Sequence, residues 1–131
     1  YRFHALPSHA VVAWDGSLNA ARAIAGALPL LERAQKVSLA ILNPAKRPDA
    51  HGAQPGADMA LYLSRHGVKV EVMVRETTIE AGEALLSLCA DEGADLLVMG
   101  AFGHTRFREL LLGGATRQIL DSMTVPVLMA H

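Results

Sequence analysis

Short apolar runs separated by helix-type patterns predict an α/β domain, with a parallel sheet and helices on both faces. Three observations carry this reading. The apolar runs are strand-length and rich in Val, Leu and Ile, the segments between them repeat their apolar residues at helical spacing, and capping or stop residues stand at the joints. A chain of 131 residues suits one domain.

The elements follow in order. Ala10, Val11, Val12, Ala13 and Trp14 form the first apolar run, read as a buried strand. Ser17 is placed to cap the next helix, since its hydroxyl can accept from a free amide of the first turn. Ala20, Ile24, Ala27 and Leu31 recur at helical spacing and mark that helix's packed face. Pro29 is expected to kink or shorten its last turn. Residues 37–42 read as the second strand. Residues 43–56 carry Pro44, Pro48, Pro55, Gly52 and Gly56 and read as a long, mobile surface loop. A short helix over Ala57–Arg65 stops at Gly67. Val68, Val70, Val72 and Val74 alternate and mark the third strand. Thr77, Thr78, Ile79 and Glu80 match a capping box ahead of a helix that buries Gly82, Leu85, Leu86 and Cys89 and ends near Gly93. Residues 95–99 are the fourth strand. Residues 100–114 form a glycine-bearing loop with a short helical turn at 107–112. Ala115, Ile119, Leu120 and Met123 mark a last helix, and residues 125–129 a last strand. Residues 1–8 read as a linker or arm.

Several function classes are disfavoured at once. Twelve basic residues face 13 acidic ones, which gives no electrostatic reason for a nucleic acid or an anionic membrane as main partner. No apolar run is long enough to span a bilayer. Cys89 is the one cysteine, so no internal disulfide forms, and a reducing cytoplasm is the natural compartment. It falls on an apolar helix face and reads as inert core. The six histidines, His4, His9, His51, His66, His104 and His131, are scattered, and none pair at metal-binding helical spacing. Trp14 reads as core, with the border of a pocket as the other option.

The chemistry concentrates at residues 100–116. Gly100 and Gly103 follow the fourth strand, and Gly113 and Gly114 open the last helix. Phosphate binding needs converging backbone amides with no side chain in the way, and a helix N-terminus adds free amides and a favourable dipole. Thr116 offers a hydroxyl donor. Asp15, just after the first strand, could bind a ribose hydroxyl or a metal. The pattern is neither a Walker loop nor the dinucleotide fingerprint. On spacing alone two readings stand: a phosphate cradle, or glycines that only make turns. No nucleophile–base arrangement stands out, so no catalytic residue is assigned.

Three segments resemble the universal stress protein family. Residues 12–17 (VAWDGS) are similar to its opening strand and turn. Residues 95–104 (DLLVMGAFGH) are similar to its fourth strand and first glycine pair. Residues 112–116 (LGGAT) with 124–128 (TVPVL) are similar to its ending. Gly100, Gly103 and Gly113 keep the family's Gly-x2-Gly-x9-Gly ATP pattern. The resemblance implies an open five-stranded parallel sheet of order 3-2-1-4-5, of the adenine nucleotide alpha hydrolase-like type. It implies ATP or ADP, with or without Mg, in the crevice between the first and fourth strands. Adenine would pack near Ile41 and Leu42. Ala13, Trp14 and Asp15 would line the adenosine end with Met99. Gly100, Gly103, Gly113, Gly114, Ala115 and Thr116 would hold the phosphates. His104, Arg106 and Arg117 are candidates to neutralise their charge, against a reading as solvated surface.

One position departs from the family. Its ATP binders carry Ser or Thr after the third glycine, and Gly114 stands there in this chain. That removes a hydrogen bond to a charged group worth about 1.5–3 kcal/mol. The expectation is a weaker site or a different nucleotide. The last strand, with Val125, Val127, Leu128 and Met129, would be a sheet edge that pairs with a second copy or a tandem domain. The resemblance to second-repeat domains of tandem stress proteins, with Tyr1 at the start, implies a longer parent chain. The function expected is a cytoplasmic stress-response regulator that binds adenine nucleotide and signals by shape or assembly. The alternatives are a dimerising interaction module that has lost nucleotide binding and, behind it, a slow ATPase.

Overall fold

The computed structural model describes residues 7–46, 54–100 and 125–130. β1 (His9–Ala13), β2 (Lys36–Leu42), β3 (Val70–Arg75), β4 (Leu96–Gly100) and β5 (Val127–Ala130) form one sheet of order β3-β2-β1-β4-β5, as expected. Every pairing is parallel. Three helices are described: α1 (Leu18–Arg33), α2 (Ala57–Arg65) and α3 (Ala81–Glu92).

Two apolar layers sandwich the sheet. On one face Ala10, Val12, Val37, Leu39, Leu96 and Val98 meet Ala23, Ile24, Ala27 and Leu31 of α1 and Leu63 of α2. On the other, Val11, Ala13, Ala40, Leu97 and Met99 meet Leu85, Leu86, Leu88 and Cys89 of α3. Burial on both faces explains why the interiors of β1, β2 and β4 are nearly continuous apolar runs, interrupted in β2 by Ser38. β3 lies at a sheet edge and alternates, but its valines are not equally covered. Val68 is buried just before it, whereas Val72 and Val74 are 38% and 41% exposed and Met73 holds the inner face.

The helix ends follow local chemistry, with two corrections. Ser17 Oγ accepts from the Ala20 amide at 3.1 Å, so the expected cap of α1 forms. Pro29 does not shorten α1, which continues to Arg33. Pro29 denies a donor to the carbonyl of Ala25, but both residues are exposed, so water can satisfy that carbonyl. The capping box before α3 does not form. Glu80 is the cap residue and makes no side-chain cap bond. The Thr77 amide is held by Asn43 Oδ1 at 2.8 Å, and Thr77 Oγ1 accepts from the Ile79 amide at 3.2 Å. Both groups are committed to the loop, and the helix begins at Ala81.

Both described ends of the expected loop carry defined backbone turns. Pro44–Lys46 make a 3-10 turn, and Gly56 begins α2 at φ 81°. Gly56 is buried and its positive φ favours glycine, and a Cβ there would press on the end of the Ile41 side chain. Residues 47–53 lie outside the described residues. So do the helical turn at 107–112 and the last helix expected from Ala115 to Met123. Ser8, at the end of the expected arm, is tied down: its carbonyl accepts from the Gln35 and Lys36 amides, each at 3.0 Å.

At the N-terminal edge of the sheet, His9 is a structural residue. Asp95 accepts from the amides of Ser8 and His9 at 2.9 and 3.0 Å. His9 Nδ1 lies 3.1 Å from the Glu92 carbonyl, and Nε2 lies 2.7 Å from Ser38 Oγ. A carbonyl only accepts, so in the neutral ring Nδ1 carries the proton and Nε2 receives the Ser38 hydroxyl. That satisfies Ser38, which is fully buried.

Candidate functional site

The strand order sets the location. β2 leaves β1 toward one edge and β4 lies on the opposite side, so β1 and β4 meet at the topological switch point. Open α/β sheets bind ligands outside the C-terminal ends of such strands. Asp15 follows β1, and Gly100 ends β4. Val12 pairs with Val98, so the two strand ends are neighbours, and α1 begins between them in the chain's course.

The turn after β1 is tightly specified. The Trp14 amide donates to the Ala40 carbonyl at 2.9 Å, which extends the β1–β2 pairing by one residue. Gly16 takes φ 78°, and Asp15 Oδ1 accepts from the Ser17 amide at 2.9 Å. The turn thus aims the chain into α1 while Ser17 caps the helix. Trp14 is half-buried and packs against the α1 face of the core.

Gly100 has a packing reason that its place in a glycine pattern does not reveal. A Cβ on Gly100 would overlap the Ala20 amide nitrogen, and would lie 2.6 Å from the Asn19 carbonyl carbon and 2.8 Å from Ala20 Cα. The first turn of α1 therefore rests directly on the end of β4. The close approach brings a helix N-terminus, with its positive dipole end, to the switch point.

The other expected site residues divide by burial. Ala13 and Met99 are 4% and 2% exposed and belong to the α3-side layer. Ile41 is fully buried beneath Gly56, and Leu42 is half-buried on the α3 side. Gly103, His104, Arg106, Gly113, Gly114, Ala115, Thr116 and Arg117 lie outside the described residues. Val125 precedes β5, whose edge position is as expected, and Val125, Val127, Leu128 and Met129 are half-buried.

The structure adds a feature that pattern reading missed. Asn43, just past β2, has φ 48°, the one positive φ among described non-glycine residues. Its amide donates to the Arg75 carbonyl at 2.9 Å while its Oδ1 holds the Thr77 amide. Asn43, Glu76, Thr77 and Thr78 line an open hollow of about 500 Å³ at the ends of β2 and β3. An Asn directly after a strand was the available signal, because Asn tolerates the left-handed region. Among the described residues no His/Cys/Asp/Glu group is arranged to hold a metal, and no helix is long and apolar enough to cross a membrane.

The ends of β1 and β4, with Asp15 at one and the first turn of α1 seated on Gly100 at the other, stand at the position where open α/β sheets bind ligands. Residues 8–131 match the model of the universal stress protein family, and the chain belongs to that family. It is 41% identical over 66 residues to a universal stress protein of Synechocystis sp., across 50% of this chain and 22% of that protein. It is 36% identical over 47 residues to one from Methanocaldococcus jannaschii, across 36% of this chain and 29% of that protein. These matched stretches are less than a third of either relative's length. The solved structure of the Methanocaldococcus protein aligns over 96% of both chains, with TM-score 0.69 and 23% identity. A universal stress protein solved in complex with cAMP aligns over 97% of this chain and 98% of its own, with TM-score 0.67 and 22% identity. A Mycobacterium tuberculosis H37Rv protein is 26% identical, with TM-score 0.63 and 97% coverage of both chains.

Proposed function

We propose that this stress-family protein is a regulatory domain that binds an adenine nucleotide at the switch point and responds by a change of shape or assembly. The observation that carries the reading is the meeting of Asp15, Gly100 and the α1 N-terminus at neighbouring strand ends. The chemistry fits the ligand. A carboxylate accepts from ribose hydroxyls, and a helix N-terminus favours anionic phosphate. Gly103, Gly113, Gly114 and Thr116 would complete the phosphate cradle, with Arg117 nearby in sequence. ATP or ADP is the expected ligand, with Mg as companion ion of the phosphates and the cytoplasm as compartment. The cAMP complex of a fold relative supports an adenine nucleotide as the ligand class.

Calorimetric titration with ATP, ADP and cAMP tests the proposal. Saturable binding is expected, and ATP at a hundred times its Kd should stabilise the fold by about 2.7 kcal/mol. No heat with any of the three at millimolar concentration would overturn it.

A second reading is a dimerising module that no longer binds nucleotide. Two observations favour it: Gly114 stands where a hydroxyl is expected, and Gly100 is required by packing alone. It predicts a dimer through the β5 edge, with stability unmoved by ATP. Sedimentation of the wild-type protein and of a Leu128→Lys variant tests that interface. Slow ATP hydrolysis is the third reading, and it requires phosphate release above an Asp15→Ala control.

A further inference from the structure

We propose that β3 is an interaction edge for a second copy of this chain, pairing antiparallel with the same strand across a two-fold axis at Met73. β3 lies at the edge opposite β5, and among the described residues it pairs with β2 alone. The hydrogen bonds show which of its groups face outward. The Val37 amide donates to the Lys69 carbonyl at 2.8 Å, and the Asn43 amide to the Arg75 carbonyl at 2.9 Å. Alternate residues of a strand address the same neighbour, so residues 69, 71, 73 and 75 face β2. Val70, Val72 and Val74 turn their amides and carbonyls to the open edge. Arg75 Nη1 donates to the Val74 carbonyl at 3.0 Å, so this edge already accepts a donor.

The side chains are self-complementary in one register. Glu71, Met73 and Arg75 share the α3 face of the strand, where Met73 is buried, and the valines share the other. An antiparallel pair that exchanges bonds between outward groups sets Val70, Val72 or Val74 opposite one of the same three. With Val72 opposite Val74 of the second copy, Met73 meets its own equivalent, and Glu71 faces Arg75 on both sides of the axis. Those charges occupy non-hydrogen-bonded positions, the closer of the two spacings, with Cα atoms about 4.5 Å apart. The same register lays Val72 and Val74, 38% and 41% exposed, against each other. The other registers do worse. Val72 opposite itself sets Lys69 against Arg75, and Val70 opposite Val72 sets Glu71 against its own equivalent, and like charges directly opposite destabilise. Val74 opposite itself gives Glu71 no opposing charge. Val70 opposite itself matches Glu71 to Lys69 but engages only one end of β3 and leaves Val74 uncovered. The occupant that fits this edge is therefore the same strand, which joins two five-stranded sheets into one.

Sedimentation up to millimolar concentration tests the pairing on wild type, Glu71→Arg, Arg75→Glu, the double reversal, and an equal mixture of the two single variants. Both residues are exposed, so the variants should fold, with circular dichroism as the check. Wild type should self-associate. Each single variant sets like charges opposite at both sites and should associate about tenfold more weakly. The double reversal and the mixture restore opposite charges and should match wild type. In wild type itself, hydrogen exchange at the Val72 and Val74 amides should slow as protein concentration rises. A monomeric wild type, single variants that associate as wild type does, a mixture no stronger than its components, or exchange independent of concentration would each overturn the proposal. Association through β5 alone would show itself as the second of these outcomes.

Discussion

Replacing Gly100 with alanine separates a packing role from a ligand role at one residue. The new Cβ would overlap the Ala20 amide nitrogen and come within 2.6 and 2.8 Å of two further backbone atoms of α1. No side chain can rotate away, because the obstruction is helix backbone. Relief requires α1 to shift by on the order of 1 Å, and packed interiors resist such a shift. α1 is seated by Ala20, Ala23, Ile24, Ala27 and Leu31, each at most 1% exposed, so the shift opens gaps along its length. Overpacking of this kind costs about 3 kcal/mol. With a urea slope of about 2 kcal/mol/M, the midpoint should fall by about 1.5 M, in the absence of any nucleotide. A midpoint within about 0.3 M of wild type would refute the packing argument. Loss of ATP binding with that unchanged midpoint would return Gly100 to a purely ligand-facing role.

Gly26 lies inside α1, is exposed and has nothing within 4 Å of a Cβ, so Gly26→Ala should stabilise by about 0.5–1 kcal/mol in the same urea assay. His9→Ala leaves the fully buried Ser38 hydroxyl without its partner and should cost about 2 kcal/mol, part of which Ser38→Ala recovers in the double variant. Burial pushes the Cys89 thiol up to about 11 from its usual 9.0, so native protein should react slowly with a thiol reagent and unfolded protein quickly. The unfolded thiol ionises first, so its stabilising contribution is complete below pH 9.0 and is lost as pH rises toward 11. Denaturation midpoints of wild type and Cys89→Ala across that range check the sign.

The residues announce the scaffold because its signals are local and redundant. Apolar runs at residues 10–13, 37–42 (interrupted by Ser38) and 96–99 require burial on both faces. The spacing Ala20, Ile24, Ala27, Leu31 requires one covered helix face, and Ser17 and Gly67 mark ends through their own dihedrals and hydroxyls. Local signals also mislead where a distant residue competes for the same atom. Thr77 and Glu80 have the spacing of a capping box, but Asn43, 34 positions away, takes the Thr77 amide. Pro29 has the character of a helix stop, but it falls on the solvent side, where water can satisfy the Ala25 carbonyl that it leaves without a donor.

The sequence by itself thus determined the α/β class and the helices α1, α2 and α3, since backbone propensity and apolar periodicity depend on near neighbours. Only the tertiary structure decided what those residues meet. It put the first turn of α1 on Gly100 and sealed Ile41 beneath Gly56. It also joined Asn43 to Thr77 across the ends of β2 and β3. Such contacts depend on the separation of packed backbones to within an ångström, and no residue pattern along the chain encodes that distance.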